Sequence, residues 1–158
     1  MKIYVIGSMR NKQIPVVANR LRAEGFDAFD EWFAPGEQAD EKWKEYEQLR
    51  GREFIEALQG YHAKHVFEFD KFHLDTCDVA VLVLPAGRSG HIELGYVRGC
   101  KKPCYILLEE QTDRFDVMYG FATKVFATTE DLIAELRILN FIRPKFRLYD
   151  YIQNLYRF

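Results

Sequence analysis

The chain has 158 residues, 48% of them hydrophobic and 29% charged, with a formal net charge of −2. That length fits one domain with a single sizeable core, and the composition is that of an ordinary globular protein. The charge gives no reason to expect nucleic acid as a partner, no apolar run approaches membrane-spanning length, and Met1 to Gly7 is too short for a signal peptide, so a cytoplasmic protein acting on a small molecule is expected.

Lys2 to Ile6 reads as the first strand and runs into the loop Gly7-Ser8-Met9-Arg10-Asn11. A helix follows with Ile14, Val17, Ala18 and Leu21 on one face, Pro15 in its first turn and Gly25 as its stop, and Phe26 to Phe29 is a short second strand. Glu31 to Gly36 is a loop carrying Trp32 and Phe33. Asp40 is expected to cap a long helix with Trp43, Tyr46, Phe54, Ala57, Leu58 and Tyr61 on one side. The two tryptophans either cover a pocket or staple this helix to the sheet. A further helix, from about Lys64 to Thr76, leads into a strand of six consecutive apolar residues, Val79 to Leu84. Cys104 to Leu108 is a fourth strand, Asp113 to Asp116 lies in a loop, and Lys124 to Phe126 is a short fifth strand. The helix after it is capped by Thr128, with Asp131 closing the box. Alternating strands and helices predict an α/β fold, a doubly wound parallel five-stranded sheet with flanking helices. The domain is expected over residues 1–140, with a helical insertion at about 31–62.

The richest stretch follows the third strand. Pro85 ends it, Ala86 to Gly90 form a glycine-bearing turn, and Ile92, Leu94, Tyr96 and Val97 resume at helical spacing. In open parallel sheets such a turn sits at the ligand crevice, where the first amides of the next helix attract an anion or a sugar hydroxyl. Glu93 would face that crevice from the first helical turn. A capping acid is the competing reading, available only with Gly90 as cap, because Ser89 would need its acid at Ile92.

Other chemistry is thin. His62 and His65 are a helical pair without a third ligand in register, so no metal or cofactor is expected. Cys77, Cys100 and Cys104 have no paired metal spacing and read as reduced thiols. There is no P-loop, no GxGxxG and no Ser-His-Asp arrangement. Asp78 opens its strand at the end away from the crevice and reads as a cap or turn residue. Asp70 sits in the preceding helix, and only tertiary folding could bring it to Glu93, where two carboxyls would take distinct roles. Residues 141–158 form a basic, aromatic tail (Arg143, Lys145, Arg147 and Arg157 against Asp150) that either stacks on bases or packs on the body or a partner subunit, the second being expected.

Tyr4-Val5-Ile6-Gly7-Ser8-Met9-Arg10, Asp70 with Asp78, Gly87 to Gly90, Glu93-Leu94-Gly95 and Lys102-Pro103 occur in an order that resembles the nucleoside 2-deoxyribosyltransferase family, which includes the related 2′-deoxynucleoside 5′-monophosphate N-hydrolases. The resemblance covers about the first 125 residues and leaves out the Trp32 to Tyr61 region and the tail. It implies a flavodoxin-like sheet and retaining cleavage of an N-glycosidic bond. Glu93 would attack C1′ of a deoxyribose, Tyr4 would hold the Glu93 carboxylate, and Asp70 would bind or protonate the departing base. Gly7, Ser8, Arg10, Gly87, Arg88, Ser89 and Gly90 would hold the 5′ side of the sugar, Arg10 and Arg88 suiting a phosphate. Asp116, with Met118 beside it, would complete a neighbouring subunit's site and accept a bond from a 5′ hydroxyl, which implies a homodimer or larger assembly. Gly87 departs from both branches, since transferases tend to have an acidic residue there and the hydrolases a serine. Transfer of the deoxyribosyl group to another base is expected. Hydrolysis of a deoxynucleoside monophosphate, or non-catalytic nucleotide binding, are the alternatives.

Overall fold

The computed structural model describes residues 1–108 and 116–155, with side chains through residue 142. Among them, five parallel strands, β1 (Lys2–Ile6), β2 (Asp27–Phe29), β3 (Val79–Val83), β4 (Cys104–Leu107) and β5 (Lys124–Phe126), pair in the order β2-β1-β3-β4-β5. This is the flavodoxin-like doubly wound arrangement, with its reversal between β1 and β3. Both sheet faces are covered, so β3 and β4 are buried along their whole length and carry no polar alternation.

Side chains leave a strand alternately to either face, and β1 shows what that does. Ile3 and Val5 enter one core with Ile14, Val17 and Leu21 of α1 (Gln13–Ala23) and Leu132 and Leu136 of α6 (Thr129–Leu155). Tyr4 and Ile6 enter the other, with Leu74 of α4 (Tyr61–Thr76, after α2 and α3 below) and Leu94 and Val97 of α5 (Arg88–Gly99). Each large aliphatic buried here contributes about 1.5–3 kcal/mol. Thr128 caps α6 as expected, its Oγ1 accepting the Asp131 amide at 3.2 Å, and Asp131 answers through the Thr128 hydroxyl, which donates to its Oδ2 at 2.8 Å.

The insertion differs from its expectation. The long helix after Asp40 is two, α2 (Ala39–Leu49) and α3 (Phe54–Leu58), and α4 already begins at Tyr61. Gly51, at φ +68°, breaks the path, and the half-exposed arginines on either side, Arg50 and Arg52, pair with the buried carboxylate of Glu47 at 3.6 and 3.2 Å. Asp40 falls inside the first turn of α2, where Gln38 is the cap. The face expected to be buried is not continuous: Ala57 is buried, while Tyr46, Phe54, Leu58 and Tyr61 are exposed. Helix α6 runs without interruption from the expected capping site into the segment taken for a tail, as far as Leu155. Asp113 lies outside the described residues.

A Cβ at Gly51 would meet nothing within 4 Å, so a substitution there acts through backbone conformation alone. Gly51→Ala is expected to cost about 1 kcal/mol, read as a lower urea midpoint with an unchanged slope.

Candidate active site

The carboxyl ends of β1 and β3 lie side by side, and the chain leaves them toward opposite faces, β1 into α1 and β3 into α5. Two connections therefore diverge over one edge and leave a crevice. Asn11 ties them together. Its buried amide donates to the carbonyls of Val83 at 3.4 Å and Pro85 at 3.2 Å, while its Oδ1 accepts from the Gln13 amide at 3.0 Å. Ser8, Arg10, Asn11, Pro85, Ala86 and Gly87 line a cleft of about 150 Å³ at this point. Sequence reasoning missed Asn11; its signal is the tendency of Asn to close a local turn with its side chain.

The glycines divide by role. A Cβ on Gly7 would lie 2.1 Å from Ile14 Cδ1, and one on Gly90 would lie 3.1 Å from both Ile6 Cγ2 and Leu82 Cδ1. Both allow close packing, Gly7 of a loop on α1 and Gly90 of α5 on the sheet, and Gly90 is buried away from the crevice. Gly87 has open space around it and is the N-cap of α5. Arg88 and Ser89 follow, exposed, in the first turn. With the cap at Gly87, Glu93 is the sixth residue of the helix, in the second turn. The expected first-turn position is corrected, and a capping role for Glu93 is excluded with it.

Gly90, Leu94 and Val97 form the stripe of α5 on the sheet, and Glu93 lies beside it. Helix α4 covers the neighbouring part of the same face, delivering Asp70. Tyr4 comes up from β1 between them, fully buried, its ring 5.4 Å from that of Phe29. Sequence spacing alone could not bring these three residues together; the sheet does. They lie apart from the lining of the small cleft, so a ligand in contact with all of them would span from one to the other.

Burial first, and then the nearby charge of Asp70, push the Glu93 carboxyl up to about 7. Burial also raises Asp70, to about 6, against the opposing effect of the Tyr4 hydroxyl. The Oδ1 of Asp70 is enclosed and has no hydrogen-bond partner among the described residues. The Tyr4 phenol is itself held far above its usual range by burial and then by the charges of Glu93 and Asp70, so it is a hydrogen-bond donor at every working pH. The resemblance has Tyr4 holding Glu93; in the structure the Tyr4 hydroxyl feels the charge of Glu93 and, next, that of Asp70.

The other expected site residues are scattered. Arg10 is exposed and forms an ion pair with Glu41 of α2, a partner the sequence did not suggest. Ser8 Oγ accepts the Arg10 amide at 3.2 Å. Asp116 caps a 3-10 turn over Val117–Phe121 by accepting the Met118 amide at 3.0 Å, and the Met118 side chain is exposed. His91 joins that turn to α5: Nδ1 donates to the Gly87 carbonyl at 2.8 Å, and the ring stacks on Tyr119. Trp32 is the staple, its Nε1 donating to the Val5 carbonyl at 2.8 Å. Trp43 packs against Phe54 and His62 with its indole nitrogen enclosed and unbonded. Asp78 Oδ2 accepts the Lys2 amide at 2.8 Å, far from the crevice as expected. Among the described residues, no three or more His, Cys, Asp or Glu side chains converge as metal ligands, and no helix is long and apolar enough to cross a membrane.

No protein-family model matches the sequence, and no curated protein matches it. Solved structures do. The chain is similar to a 2-deoxyribosyltransferase from the psychrotolerant bacterium Bacillus psychrosaccharolyticus, at TM-score 0.57 and 18% identity over 84% of this chain and 90% of that one. It shares that enzyme's fold. A CMP N-glycosidase of Clostridium botulinum is similar too, at TM-score 0.52 and 12% identity over 87% of this chain and 99% of that one.

Within this fold the two carboxyls store an electrostatic cost. A carboxyl whose folded pKa is raised contributes stability that is complete below its unfolded value and is lost as pH rises through the folded one, here between about 4.5 and 7 for Glu93. Glu93→Gln removes the ionisation. It is expected to raise the melting temperature at pH 8, where the gain is on the order of 1–3 kcal/mol, and to leave it nearly unchanged at pH 4.

Proposed function

We propose that the protein cleaves the N-glycosidic bond of 2′-deoxynucleosides with Glu93 as nucleophile and transfers the deoxyribosyl group to another base. The observation that carries this reading is the convergence of Tyr4, Asp70 and Glu93 on the face of β1 that α4 and α5 cover, with both carboxyls raised by burial. Structural neighbours that are a deoxyribosyltransferase and a CMP N-glycosidase support N-glycosidic chemistry as the general class.

The ionised Glu93 carboxylate attacks C1′ as the C1′–N bond breaks, forming a glycosyl ester. Asp70, protonated, gives its proton to the departing base, and its enclosed Oδ1 offers an acceptor that a base N–H satisfies. An incoming base then attacks C1′, the ester bond breaks back to the Glu93 carboxylate, and the proton returns to Asp70. Water as acceptor gives hydrolysis through the same steps. The productive form needs Glu93 ionised and Asp70 protonated, which is the less populated way of placing one proton on the pair, since Glu93 holds its proton to about 7 and Asp70 only to about 6; activity therefore follows the singly protonated pair, rising near 6 and falling near 7. In the free protein the two overlap as one coupled pair, giving a narrow bell between about 6 and 7.

Given a deoxynucleoside and a second free base, the protein is expected to make the exchanged deoxynucleoside, and Glu93→Ala to lower the rate on the order of 10³-fold or more. Unchanged turnover in that variant removes Glu93 as nucleophile, while free base without exchanged product assigns hydrolysis.

We further propose self-association. Its support is the apolar side chains left exposed along α4 and α5, among them Tyr61, Phe67, Phe72 and Ile92. Sedimentation at micromolar concentration is expected to give a dimer or larger species, and a monomer alone counts against a shared site.

A further inference from the structure

The ion pair between Arg10 and Glu41 bears on which substrate this site takes. Arg10 is a cation lining the crevice, on the loop expected to hold the 5′ side of the sugar. Its backbone is fixed, since its amide bonds to Ser8 Oγ and the Asn11 amide donates to the Ser8 carbonyl at 2.8 Å. Its guanidinium is matched by Glu41, from the first turn of α2, in the insertion that lies outside the family resemblance. A first-turn acid suits the helix dipole, but dipole and arginine act on Glu41 at once.

We propose that Glu41 is a specificity-determining residue: by matching the charge of Arg10 at the crevice, it sets the site to prefer a deoxynucleoside with a free 5′ hydroxyl over its 5′-monophosphate. This rests on the N-glycosidic reading above. The pair does little for the fold, because its side chains are 68% and 50% exposed, and pairs of that kind contribute little to stability. Its effect on an arriving phosphate is larger. Opening the pair costs at most about fivefold in affinity. A carboxylate left within about 5 Å of a phosphate dianion costs about tenfold more, even at the dielectric of water. A 5′ hydroxyl meets neither cost. Arg88, exposed in the first turn of α5 and without an ion-pair partner among the described residues, leaves some attraction for an anion; Glu41 therefore sets a preference and not an absolute exclusion.

The experiment measures kcat/KM for one deoxynucleoside and its 5′-monophosphate with the wild type, Glu41→Gln and the double variant Arg10→Gln with Glu41→Gln. Glu41→Gln is expected to raise the monophosphate-to-nucleoside ratio about tenfold or more, through KM rather than kcat, with a gain that shrinks as salt is added. The double variant is expected to lose that gain. An unchanged ratio in Glu41→Gln, or a gain that persists without Arg10, overturns the proposal. A second measurement needs no turnover: inorganic phosphate is titrated while melting temperature is followed, and only Glu41→Gln with Arg10 intact is expected to be stabilised beyond wild type. Should the wild type cleave neither substrate, the N-glycosidic reading fails; the phosphate titration then still decides the role of Glu41, an unstabilised Glu41→Gln overturning it.

Discussion

Everything at the candidate site depends on the parallel pairing of β1 with β3. Tyr4 lies opposite Ala80 and Ile6 opposite Leu82, inside a sheet closed on both faces, so the ends of these strands cannot shift without disturbing two cores. Because the sheet order reverses between them, one strand sends its helix to one face and the other to the opposite face. The crevice is the geometric remainder of that divergence, not a hollow carved from packed structure. The acidic groups stand to one side of it on helices already fixed by Leu74, Leu94 and Val97, so their positions follow from hydrophobic burial that has no chemical purpose of its own.

Burial that holds a site in place also charges for ionisation. Glu93 and Asp70 sit where water is scarce, and the charge of Asp70 makes Glu93 harder still to ionise. Carboxyls with ordinary acidity would be fully charged at neutral pH, leaving no proton for a departing base. With both raised, one proton can be shared between two groups, which is the condition for an acid and a nucleophile to coexist in a small space. The loss of stability is the other side of the same arrangement, and it is typical of sites that do chemistry.

Much of this was legible in the chain. The unbroken apolar runs at Val79 and Cys104 announce strands buried on both faces, and Thr128 with Asp131 announces a helix start, because those signals are local. Helix α6 was seen at its start but not at its end, since aromatic and basic residues after Phe141 read equally well as a tail. The break at Gly51 has no clear signal in the pattern, because a glycine inside a helix often costs only stability; here Glu47 holds Arg50 and Arg52 around a turn, a contact pattern that periodicity cannot express. The glycine-bearing turn marks Glu93, Asp70 stands out as a second carboxyl and the family resemblance adds Tyr4, yet their meeting depends on where α4 and α5 lie on the sheet. Glu41 was invisible for the opposite reason: it belongs to the part of the chain the resemblance leaves out.

Asn11 has a mechanical consequence. One side chain bonds to the end of β3, to the turn after it and to the start of α1, so the two walls of the crevice are tied to each other. A wall that swung away would have to break those bonds inside buried structure. Opening costs less on the α2 side, where the contact to Arg10 joins two exposed side chains. Breadth of substrate choice in such a molecule would drift through changes in its insertion, while the two walls stay as they are.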